Sequence, residues 1–358
     1  MEPTLTIRSS SGEYPIWVGA NIRKQAGMLL KDILSGKSKV LIVTDRKVGS
    51  VYLTEVSEAF APFLPVETAV LPAGEETKSF TQYENLLTKA LEKGLDRQSI
   101  IVALGGGVIG DIAGFMAATY MRGIPFIQMP TTLLAHDSSV GGKTGINHPL
   151  GKNMVGAFHQ PKAVLYDTNT LLTLPDEEWR SGFAEMIKHA YISNQEFVEL
   201  LKKKVQSISD LKSDQIKDLL TRSIQVKADI VQDDEKESGV RGYLNFGHTL
   251  GHAIEKNIGY GGLTHGEAVV IGILFSMKVS NALQLSAWDV ESEEKWLEDL
   301  GYPVNKHKDL SHKELIETMK KDKKSSKGQI RMVLLPEPGK PMIAAVEEKV
   351  IQNVLADK

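Results

Sequence analysis

A change of pattern about halfway along the chain constrains its fold most strongly. The first half alternates short β-branched runs with longer helical patterns, and each predicted strand ends at turn residues; the strands are 40–43, 100–104, 124–129 and 163–166. Such runs, separated by helices, are typical of βαβ units around a parallel sheet. From about Pro175 onward the pattern is one helix after another.

The second half predicts helices over 183–204, over 213–234 with Ser213 as the N-cap, and from 265 towards 285. A short strand is predicted at 330–335. We therefore expect an α/β amino-terminal domain with a Rossmann-like parallel sheet, residues 1–172, and a mostly α-helical carboxy-terminal domain, residues 173–358. Ligands are expected in the crevice between the two domains, outside the carboxyl ends of the strands.

The composition excludes several classes of protein. The chain has 358 residues, with 42 Lys and Arg against 45 Asp and Glu, and this balance provides no electrostatic footprint for nucleic acid or an anionic membrane. It has no cysteine, which excludes disulfides, thiolate metal sites and cysteine nucleophiles. The most apolar stretch, 100–121, contains three consecutive glycines and Asp111, which a bilayer span would not. We expect a cytoplasmic protein, since no signal-peptide pattern opens the chain.

A glycine cluster follows the strand predicted at 100–104. Residues 105–110 match the pattern G-x-G-x-x-G, and backbone N–H groups at such a helix start attract a pyrophosphate. The next strand ends without the acidic residue that would bind a ribose hydroxyl, so Asp45, after an earlier strand, is the candidate for that role. The alternative is a tight turn without a ligand.

The segment 136–144, followed by 151–153, combines glycines with small polar residues and two lysines, Lys143 and Lys152. Glycines allow the backbone to approach a ligand closely, and lysines with hydroxyls suit phosphate or carboxylate oxygens. The spacing differs from that of a P-loop. A flexible surface loop is the alternative.

The histidines suggest a metal site. Glu185, Lys188 and His189 are spaced to share one face of a helix. Spacing alone pairs His248 with His252, one helical turn later, and takes a third ligand from elsewhere in the chain. Three nitrogen or oxygen ligands with an open position suit a catalytic zinc ion. The alternative is that each histidine is an ordinary core or surface residue.

A lysine and an arginine of the second half are also candidate site residues. Lys227 interrupts an apolar helical stripe formed by residues 216, 220, 224 and 231, and it either extends to solvent or turns inward towards an anionic site. Arg241 precedes Asn245 on the approach to His248 and adds positive charge near the predicted metal.

Several strings, in this order, resemble the 3-dehydroquinate synthase family: LGGGVIGD, PTTLLAHDSSVGGKTGINHPLGKNMVGAFHQPK, FAEMIKHA, YLNFGHTLGHAIE, HGEAV and a late DKK. The resemblance extends from about Leu71 to Leu335, so it covers most of the chain. It implies an NAD-binding α/β domain and a helical metal-binding domain.

The resemblance also implies site residues, and it replaces the pairing of His248 with His252. It makes Glu185, His248 and His265 the ligands of Zn²⁺ or Co²⁺. The implied NAD contacts are Asp45, Glu75, Lys78, Gly106, Gly107, Asp111, Thr131, Thr132, Lys143, Lys152, Thr173 and Glu178. The implied catalytic residues are Lys143, Lys188, Lys227, Asn245 and His252. The implied substrate contacts are Asp137, Lys152, Asn153, Arg241, Lys323 and Arg122, with Arg122 reaching the neighbouring active site of a homodimer.

The reaction implied by the resemblance converts 3-deoxy-D-arabino-heptulosonate 7-phosphate to 3-dehydroquinate and phosphate. It combines transient oxidation with NAD, phosphate elimination, re-reduction and aldol closure, without net redox change. The small, multiply charged sugar acid explains the many cations. Two alternatives stay open: another sugar-phosphate cyclase, such as a 2-deoxy-scyllo-inosose synthase, and a metal-dependent polyol dehydrogenase of the glycerol dehydrogenase type.

Overall fold

The computed structural model describes residues 1–9, 12–235, 237, 239–259, 262–321 and 330–357. The chain divides into two compact units, Met1–Leu174 and Pro175–Lys358. The first unit is α/β and the second is mainly helical, as the alternation of sequence patterns predicts. Among the described residues, no helix is long and apolar enough to cross a membrane.

The first unit contains short helices and strands in alternation. Its described strands are β1 (Leu5–Ser9), β2 (Gly12–Gly19), β3 (Val40–Asp45), β4 (Val66–Leu71), β5 (Ile100–Gly105), β6 (Phe126–Pro130), β7 (Lys143–His148), β8 (Gly151–Phe158) and β9 (Ala163–Asp167). Its described α-helices are α1 (Ala26–Leu29), α2 (Lys31–Leu34), α3 (Arg46–Phe60), α4 (Phe80–Glu92), α5 (Gly107–Thr119) and α6 (Ala135–Ser138).

Seven of the described strands form one sheet in the order β1-β2-β9-β6-β5-β3-β4. Every neighbouring pair is parallel except β1 with β2. Strand β4 lies on one side of β3, and the next strand in the chain, β5, lies on its other side. Strands β6 and β9 follow on the side of β5, so the strand order reverses between β3 and β5. Ligands of open parallel sheets bind outside the carboxyl ends of the strands at such a reversal.

Both faces of the central part of this sheet are covered, which explains why β3, β5, β6 and β9 are apolar rather than alternating. Leu41 and Val43 of β3 pack towards α4 and α5, through side chains such as Leu86 and Ile112. The intervening Val40 and Ile42 pack on the opposite face with α1, α2 and α3.

The segment predicted as a loop from 136 to 144 is partly regular. It consists of the short helix α6 and the start of β7, which pairs with β8 in an antiparallel hairpin. The hairpin packs on α5, where a Cβ on Gly114 would lie 2.5 Å from Thr144 Cγ2. The alternative of an irregular surface loop is therefore wrong for 136–138, which are helical, and for 143–144 and 151–153, which pair in the hairpin.

The second unit is built mainly from helices. Its described α-helices are α7 (Asp176–Ser193), α8 (Gln195–Lys204), α9 (Gln215–Asp233), α10 (His248–Ile258), α11 (His265–Ala282), α12 (Val290–Asp299), α13 (His312–Lys320) and α14 (Glu348–Ala356). Its described strands are β10 (Ile330–Leu334) and β11 (Met342–Val346), which pair antiparallel.

Two helix predictions need correction. The helix predicted over 183–204 is two helices, because Asn194 adopts an extended conformation and its side chain caps α8 by accepting from Phe197 N at 2.9 Å. Ser213 is not the cap of α9, since its hydroxyl donates to the carbonyl of Asp210 at 2.8 Å. Both errors arise because polar residues compete locally for backbone groups in ways that periodicity does not show.

Helices α10 and α11 pack with their backbones in close approach. A Cβ on Gly272 would lie 1.8 Å from the carbonyl oxygen of Gly247, and one on Gly251 would lie 3.1 Å from that of Ala268. Gly247 itself has φ +81°, which favours glycine. These glycines bring the start of α10 beside α11, and His248 and His265 are the first residues of the two helices.

Candidate functional site

Three side chains of the second unit converge: Glu185 of α7, His248 of α10 and His265 of α11. The Nε2 atoms of His248 and His265 each lie 3.5 Å from Glu185 Oε1. One ligand atom from each residue lies within 4.8 Å of the other two. The Glu185 side chain is 1% exposed, so this carboxylate is removed from water.

This cluster fits a divalent zinc-like ion. At zinc–nitrogen and zinc–oxygen distances of about 2.1 Å, tetrahedral ligands are separated by about 3.4 Å. The 3.5 Å separations between Glu185 and each histidine therefore match two edges of such a tetrahedron. A set of one carboxylate and two imidazoles leaves a fourth position for a substrate oxygen.

The other ring nitrogen of each histidine is held in place. His248 Nδ1 donates to the carbonyl oxygen of Phe246 at 3.1 Å, and His265 Nδ1 lies 3.0 Å from Glu255 Oε2. Both acceptors keep the proton on Nδ1 and leave Nε2 for a metal. The sequence analysis missed Glu255. Its position seven residues after His248, on the same helix face, is the signal that could have found it.

Electrostatics distinguish the two histidines in the metal-free protein. Burial lowers the pKa of His248 well below 6.5, so its imidazole is neutral. Burial also lowers the pKa of His265, but hydrogen bonds to Glu185 and Glu255 more than offset this and raise the pKa to about 10. His248 and His265 would hold a metal ion through unprotonated Nε2 atoms.

The structure does not support the pairing of His248 with His252 that spacing alone suggests. Their rings are 5.2 Å apart and nearly perpendicular, and His252 is exposed. The described residues that could hold an ion with His248 are Glu185 and His265, from two other helices. His252 instead forms a second group with Glu255 and His265, beside the first.

Two buried lysines lie on the helices α7 and α9. Lys188, one turn after Glu185 on α7, forms an ion pair with its carboxylate and has a side chain that is only 2% exposed. Lys227 is 7% exposed, which excludes the interpretation that it extends to solvent. His189 Nδ1 and Ser223 Oγ lie 2.8 Å apart and join α7 to α9. Lys227, one turn after Ser223, shares the face of α9 that packs on α7.

Arg241 and Asn245 occupy the 3-10 segment Val240–Asn245 just before α10. Arg241 is 1% exposed; its backbone N–H donates to Asp234 Oδ2 at 3.0 Å, and its guanidinium donates to the carbonyl of Glu235. Asn245 Nδ2 donates to the carbonyl of Gly242 at 3.0 Å. The segment is thus fixed by hydrogen bonds within the second unit.

In the first unit, several predicted NAD contacts lie at the strand-order reversal. Asp45 ends β3, and Gly106 and Gly107 follow β5, the spatial neighbour of β3. Thr131 and Thr132 follow β6, the other neighbour of β5, and Thr131 N donates to the carbonyl of Gly105 at 3.0 Å. These residues therefore share one edge of the sheet.

This edge fits a dinucleotide. Gly106 is the N-cap residue of α5, and no side chain there accepts a hydrogen bond from the first N–H groups of the helix. A Cβ on Gly106 would lie 2.9 Å from Thr132 Cγ2. A Cβ on Gly107 would lie 3.1 Å from Ser138 Oγ. The Thr131 hydroxyl is buried and has no hydrogen-bond partner among the described residues. A bare helix start beside a buried hydroxyl suits a pyrophosphate. Asp45 also caps α3, accepting from Lys47 N at 2.8 Å.

A second polar group of the first unit surrounds Lys78, whose side chain is 4% exposed. Its Nζ lies 2.7 Å from Asp111 Oδ2 and 3.6 Å from Glu75 Oε1, and it also contacts Asn153 Oδ1. Burial lowers the pKa of Lys78, but the charges of Asp111 and Glu75 more than offset this and raise it above 10.5. The structure thus brings three predicted NAD contacts together with a predicted substrate contact.

The remaining predicted residues have separate positions. Asp137 lies in α6, Lys143 begins β7, and Lys152 lies in β8; both lysines are exposed. Thr173 ends a 3-10 segment, and its hydroxyl lies 2.9 Å from Tyr52 Oη. Glu178 lies in the first turn of α7. Lys323 falls outside the described residues.

Arg122 lies in the 3-10 segment Tyr120–Arg122 between α5 and β6; Met121 and Arg122 are exposed, whereas Tyr120 is buried. The φ of Arg122 is +69°, and that of Met121 is +49°, so two consecutive non-glycine residues adopt the left-handed region. Such strain persists only where the surroundings determine it and is enriched at functional sites.

A glycine-rich turn at the strand-order reversal and a cluster of one glutamate and two histidines define the class: cyclases that use NAD and a divalent metal ion. A 2-deoxy-scyllo-inosose synthase, solved with carbaglucose-6-phosphate, NAD⁺ and Co²⁺, matches with a TM-score of 0.89 at 26% identity over 98% of both chains. The 2-epi-5-epi-valiolone synthase of Streptomyces hygroscopicus subsp. jinggangensis, with NAD⁺ and Zn²⁺ bound, matches at 0.86, 26% identity and 96% of both chains.

The chain belongs to the 3-dehydroquinate synthase family. Its residues 68–181 match the 3-dehydroquinate synthase N-terminal model, and residues 182–325 match the C-terminal model. It is 54% identical to the 3-dehydroquinate synthase of Halalkalibacterium halodurans, over 98% of this chain and 97% of the relative. The glycerol dehydrogenase of Schizosaccharomyces pombe shares only the fold, with 14% identity and a TM-score of 0.67 over 99% of this chain and 92% of that one.

Proposed function

We propose that the chain is a carbon–oxygen lyase that converts 3-deoxy-D-arabino-heptulosonate 7-phosphate to 3-dehydroquinate and phosphate, in the cytoplasm. The observation that carries this proposal is the cluster of Glu185, His248 and His265, with its 3.5 Å separations. Relatives 46–54% identical to the chain are 3-dehydroquinate synthases, which favours this substrate over that of the 26% identical 2-deoxy-scyllo-inosose synthase.

Each unit has its own part in the proposed reaction. The glycine-rich edge of the first unit holds NAD, and the cluster of the second unit holds Zn²⁺ or Co²⁺. When bound, NAD accepts and returns a hydride, and the metal polarises the hydroxyl to be oxidised. Because the hydride is returned, NAD is needed only in catalytic amount.

The protein's own cations bind the substrate's two anionic groups. Arg241, buried and fixed by Asp234, is assigned to the carboxylate together with Lys323, which lies outside the described residues. Lys152 and Asn153 of the hairpin are assigned to phosphate oxygens, since charge-assisted hydrogen bonds to oxyanions are strong. This division explains why a nearly neutral chain carries so many cations in its proposed site.

Proton movement is assigned to side chains near the metal cluster. We assign proton transfer to His252, which is exposed beside His248, with Lys188 and Asn245 assisting it. The substrate phosphate can itself remove the proton that its elimination requires, which lessens the demand on any protein base. Lys143 and Lys227 complete the assigned catalytic set.

The test of this function uses purified protein with Zn²⁺, catalytic NAD and the heptulosonate phosphate. Phosphate should be released without accumulation of NADH. If NADH accumulates stoichiometrically, the chain is a dehydrogenase. If glucose 6-phosphate is the better substrate, it is a different cyclase.

Two variants test the site assignments. Lys143→Ala and His248→Ala should each lower turnover by orders of magnitude, and His248→Ala should also bind less metal. Lys31→Ala, an exposed lysine of α2, and His312→Ala, on α13, serve as matched controls with near-normal rates. A normal rate in either site variant removes that residue from the mechanism.

We further propose a homodimer in which Arg122 completes the neighbouring active site. The exposed, left-handed backbone at Met121 and Arg122 supports a role beyond packing. Arg122→Ala and Lys143→Ala chains, each inactive alone, should regain activity after subunit exchange, because one site of the hybrid has both residues. No recovery in a mixture shown to contain hybrids would place Arg122 in its own subunit's site.

A further inference from the structure

Asn147, near the end of β7, connects residues that the proposed function assigns to different ligands. Glu75 and Lys78 are assigned to NAD, and Asn153 is assigned to the substrate. Asn147 itself is in neither set. The inference below rests on the proposed function for these assignments, and on the geometry of the first unit for the connection.

On the cofactor side, Asn147 makes two contacts. Its Nδ2 donates to Glu75 Oε1 at 2.7 Å, and its backbone N–H donates to the carbonyl of Lys78 at 2.7 Å. Glu75 and Lys78 lie at the two ends of one short 3-10 turn. Asn147 therefore holds both ends of the segment that presents them.

On the substrate side, Asn147 Oδ1 accepts from the backbone N–H of Asn153 at 2.8 Å. Asn153 has φ +54°, a left-handed conformation that the hydrogen bond helps to stabilise. The side chain of Asn153 returns to Lys78 through the contact between Oδ1 and Nζ. Asn147, Glu75, Lys78 and Asn153 thus form a closed ring of polar contacts.

We propose that Asn147 is a positioning residue that couples the NAD-binding turn at Glu75–Lys78 to the substrate-binding hairpin at Asn153. A primary amide is suited to this task, because it donates through nitrogen and accepts through oxygen on one planar group. An aspartate at this position would keep the acceptor for Asn153 but lose the donor, and it would place a second carboxylate beside Glu75.

The two functions of the amide can be separated by substitution. Asn147→Ala should raise both the Kd for NAD and the KM for the heptulosonate phosphate by about tenfold, the loss expected for a hydrogen bond to a charged group. Asn147→Asp should raise the Kd for NAD at least as much but raise KM less. In both variants kcat should change less than KM, because Asn147 contacts Glu75, Lys78 and Asn153 and is not itself assigned to the chemical step.

A double-mutant cycle distinguishes coupling from a general structural role. If Asn147 acts on NAD through Glu75, the double variant Asn147→Ala, Glu75→Ala should have the same Kd for NAD as Glu75→Ala alone. Its KM for the heptulosonate phosphate should still be higher than that of Glu75→Ala. Asn85→Ala, an exposed asparagine of α4 that contacts Gln82, is the matched control and should alter neither constant. Thermal unfolding of each variant verifies that it is folded.

Three results would overturn the inference. The first is a wild-type Kd for NAD together with a wild-type KM in Asn147→Ala. The second is that Asn147→Ala changes NAD affinity equally whether Glu75 is present or replaced by alanine. The third is that Asn147→Asp has the same Kd and KM as the wild type. NAD affinity is measured by calorimetry without turnover. A wild-type protein that binds NAD but releases no phosphate would therefore contradict the proposed function and leave the link between Asn147 and Glu75 testable.

Discussion

The orientation of His265 depends on a carboxylate ten residues earlier in the chain. Glu255 Oε2 lies 3.0 Å from His265 Nδ1, and this contact fixes which ring nitrogen faces Glu185. His248 achieves the same result with a backbone carbonyl, that of Phe246. The ring orientation of His265 thus depends on a side chain that mutation can remove, whereas that of His248 depends on a backbone carbonyl.

Glu255→Gln should therefore weaken metal binding by about 10–100-fold, the usual effect of losing the outer partner of a ligating histidine. The amide can still accept a hydrogen bond but no longer carries charge. Chelator competition measures the affinity, and the visible spectrum of the Co²⁺-loaded protein reports ligand geometry.

Glu199→Gln, an exposed glutamate of α8, is the control for this prediction and should leave both readouts unchanged. Equal metal affinity in Glu255→Gln and the wild type would show that the contact with His265 has no influence on the metal.

At the scale of elements, the order of strands explains the unusual position of Asp45. The glycine cluster follows β5, and the next strand in the sequence, β6, ends without an acid. In the sheet, β3 lies directly beside β5, with Thr44 opposite Leu104. The end of β3 therefore meets the glycines at the same edge, and an acid from the earlier strand can lie beside them.

The start of α5 should not tolerate a side chain at Gly106. A Cβ there would lie 2.9 Å from Thr132 Cγ2, although the φ of −73° suits any residue. Gly106→Ala should lower NAD affinity by about tenfold or more, since overpacking costs about 1–3 kcal/mol. Calorimetric titration with NAD measures the effect.

Gly36→Asn is the comparison for Gly106→Ala, because Gly36 has open space around it and a φ of +73° that asparagine tolerates. Unchanged NAD affinity in Gly106→Ala would mean that the cofactor does not approach this turn.

The end of β9 is held by a buried ion pair. Asp167 Oδ2 lies 2.8 Å from Arg23 Nη1, with side-chain exposures of 3% and 10%. Asp167→Ala should lower the free energy of unfolding by about 3–5 kcal/mol. It leaves the guanidinium of Arg23 with Glu55 as its remaining carboxylate partner, and it removes the acceptor of the backbone N–H groups of Asn21 and Arg23. Urea unfolding measures the change.

The exposed pair of Lys306 and Asp309, 3.3 Å apart, provides the contrast to Asp167. Asp309→Ala should cost about 1 kcal/mol or less. Similar losses in the two variants would contradict the argument from burial.

At the scale of the whole molecule, the two units carry different ligand chemistry. The first has the glycine-rich edge, and the second has the histidine–glutamate cluster. Each unit has buried or exposed lysines among its assigned residues, although the chain as a whole has a net charge of −3. The sum over the chain therefore says nothing about the binding of a small anionic substrate.

Because the two ligand sites are assigned to different units, we expect metal and NAD to protect different parts of the chain from amide hydrogen exchange. Zinc at about 100 times its Kd stabilises the unit that binds it by about 2.7 kcal/mol. Added Zn²⁺ should slow amide hydrogen exchange in α7, α10 and α11, and NAD should slow it in α5 and residues 131–134. Removal of zinc by a chelator should reverse the first effect.

Helix α3 is the internal control for zinc in this exchange experiment, and α14 is the control for NAD. If zinc protects none of the three ligand-bearing helices, the assigned metal cluster is wrong.

The sequence by itself determined the α/β and helical halves, the strands near 40, 100, 126, 163 and 330, and the family; it did not predict β4, β7, β8 or β11. The features that it determined depend on local periodicity and on motifs that are continuous in the chain. Residue spacing could not decide which side chains meet. It paired His248 with His252, and the resemblance to the family named Glu185 and His265 instead. The packing of α7, α10 and α11 brings these three side chains together, and tertiary packing alone buries Lys227. The physical reason is that spacing reports neighbours within one helix, whereas a ligand set from three helices depends on how their backbones pack.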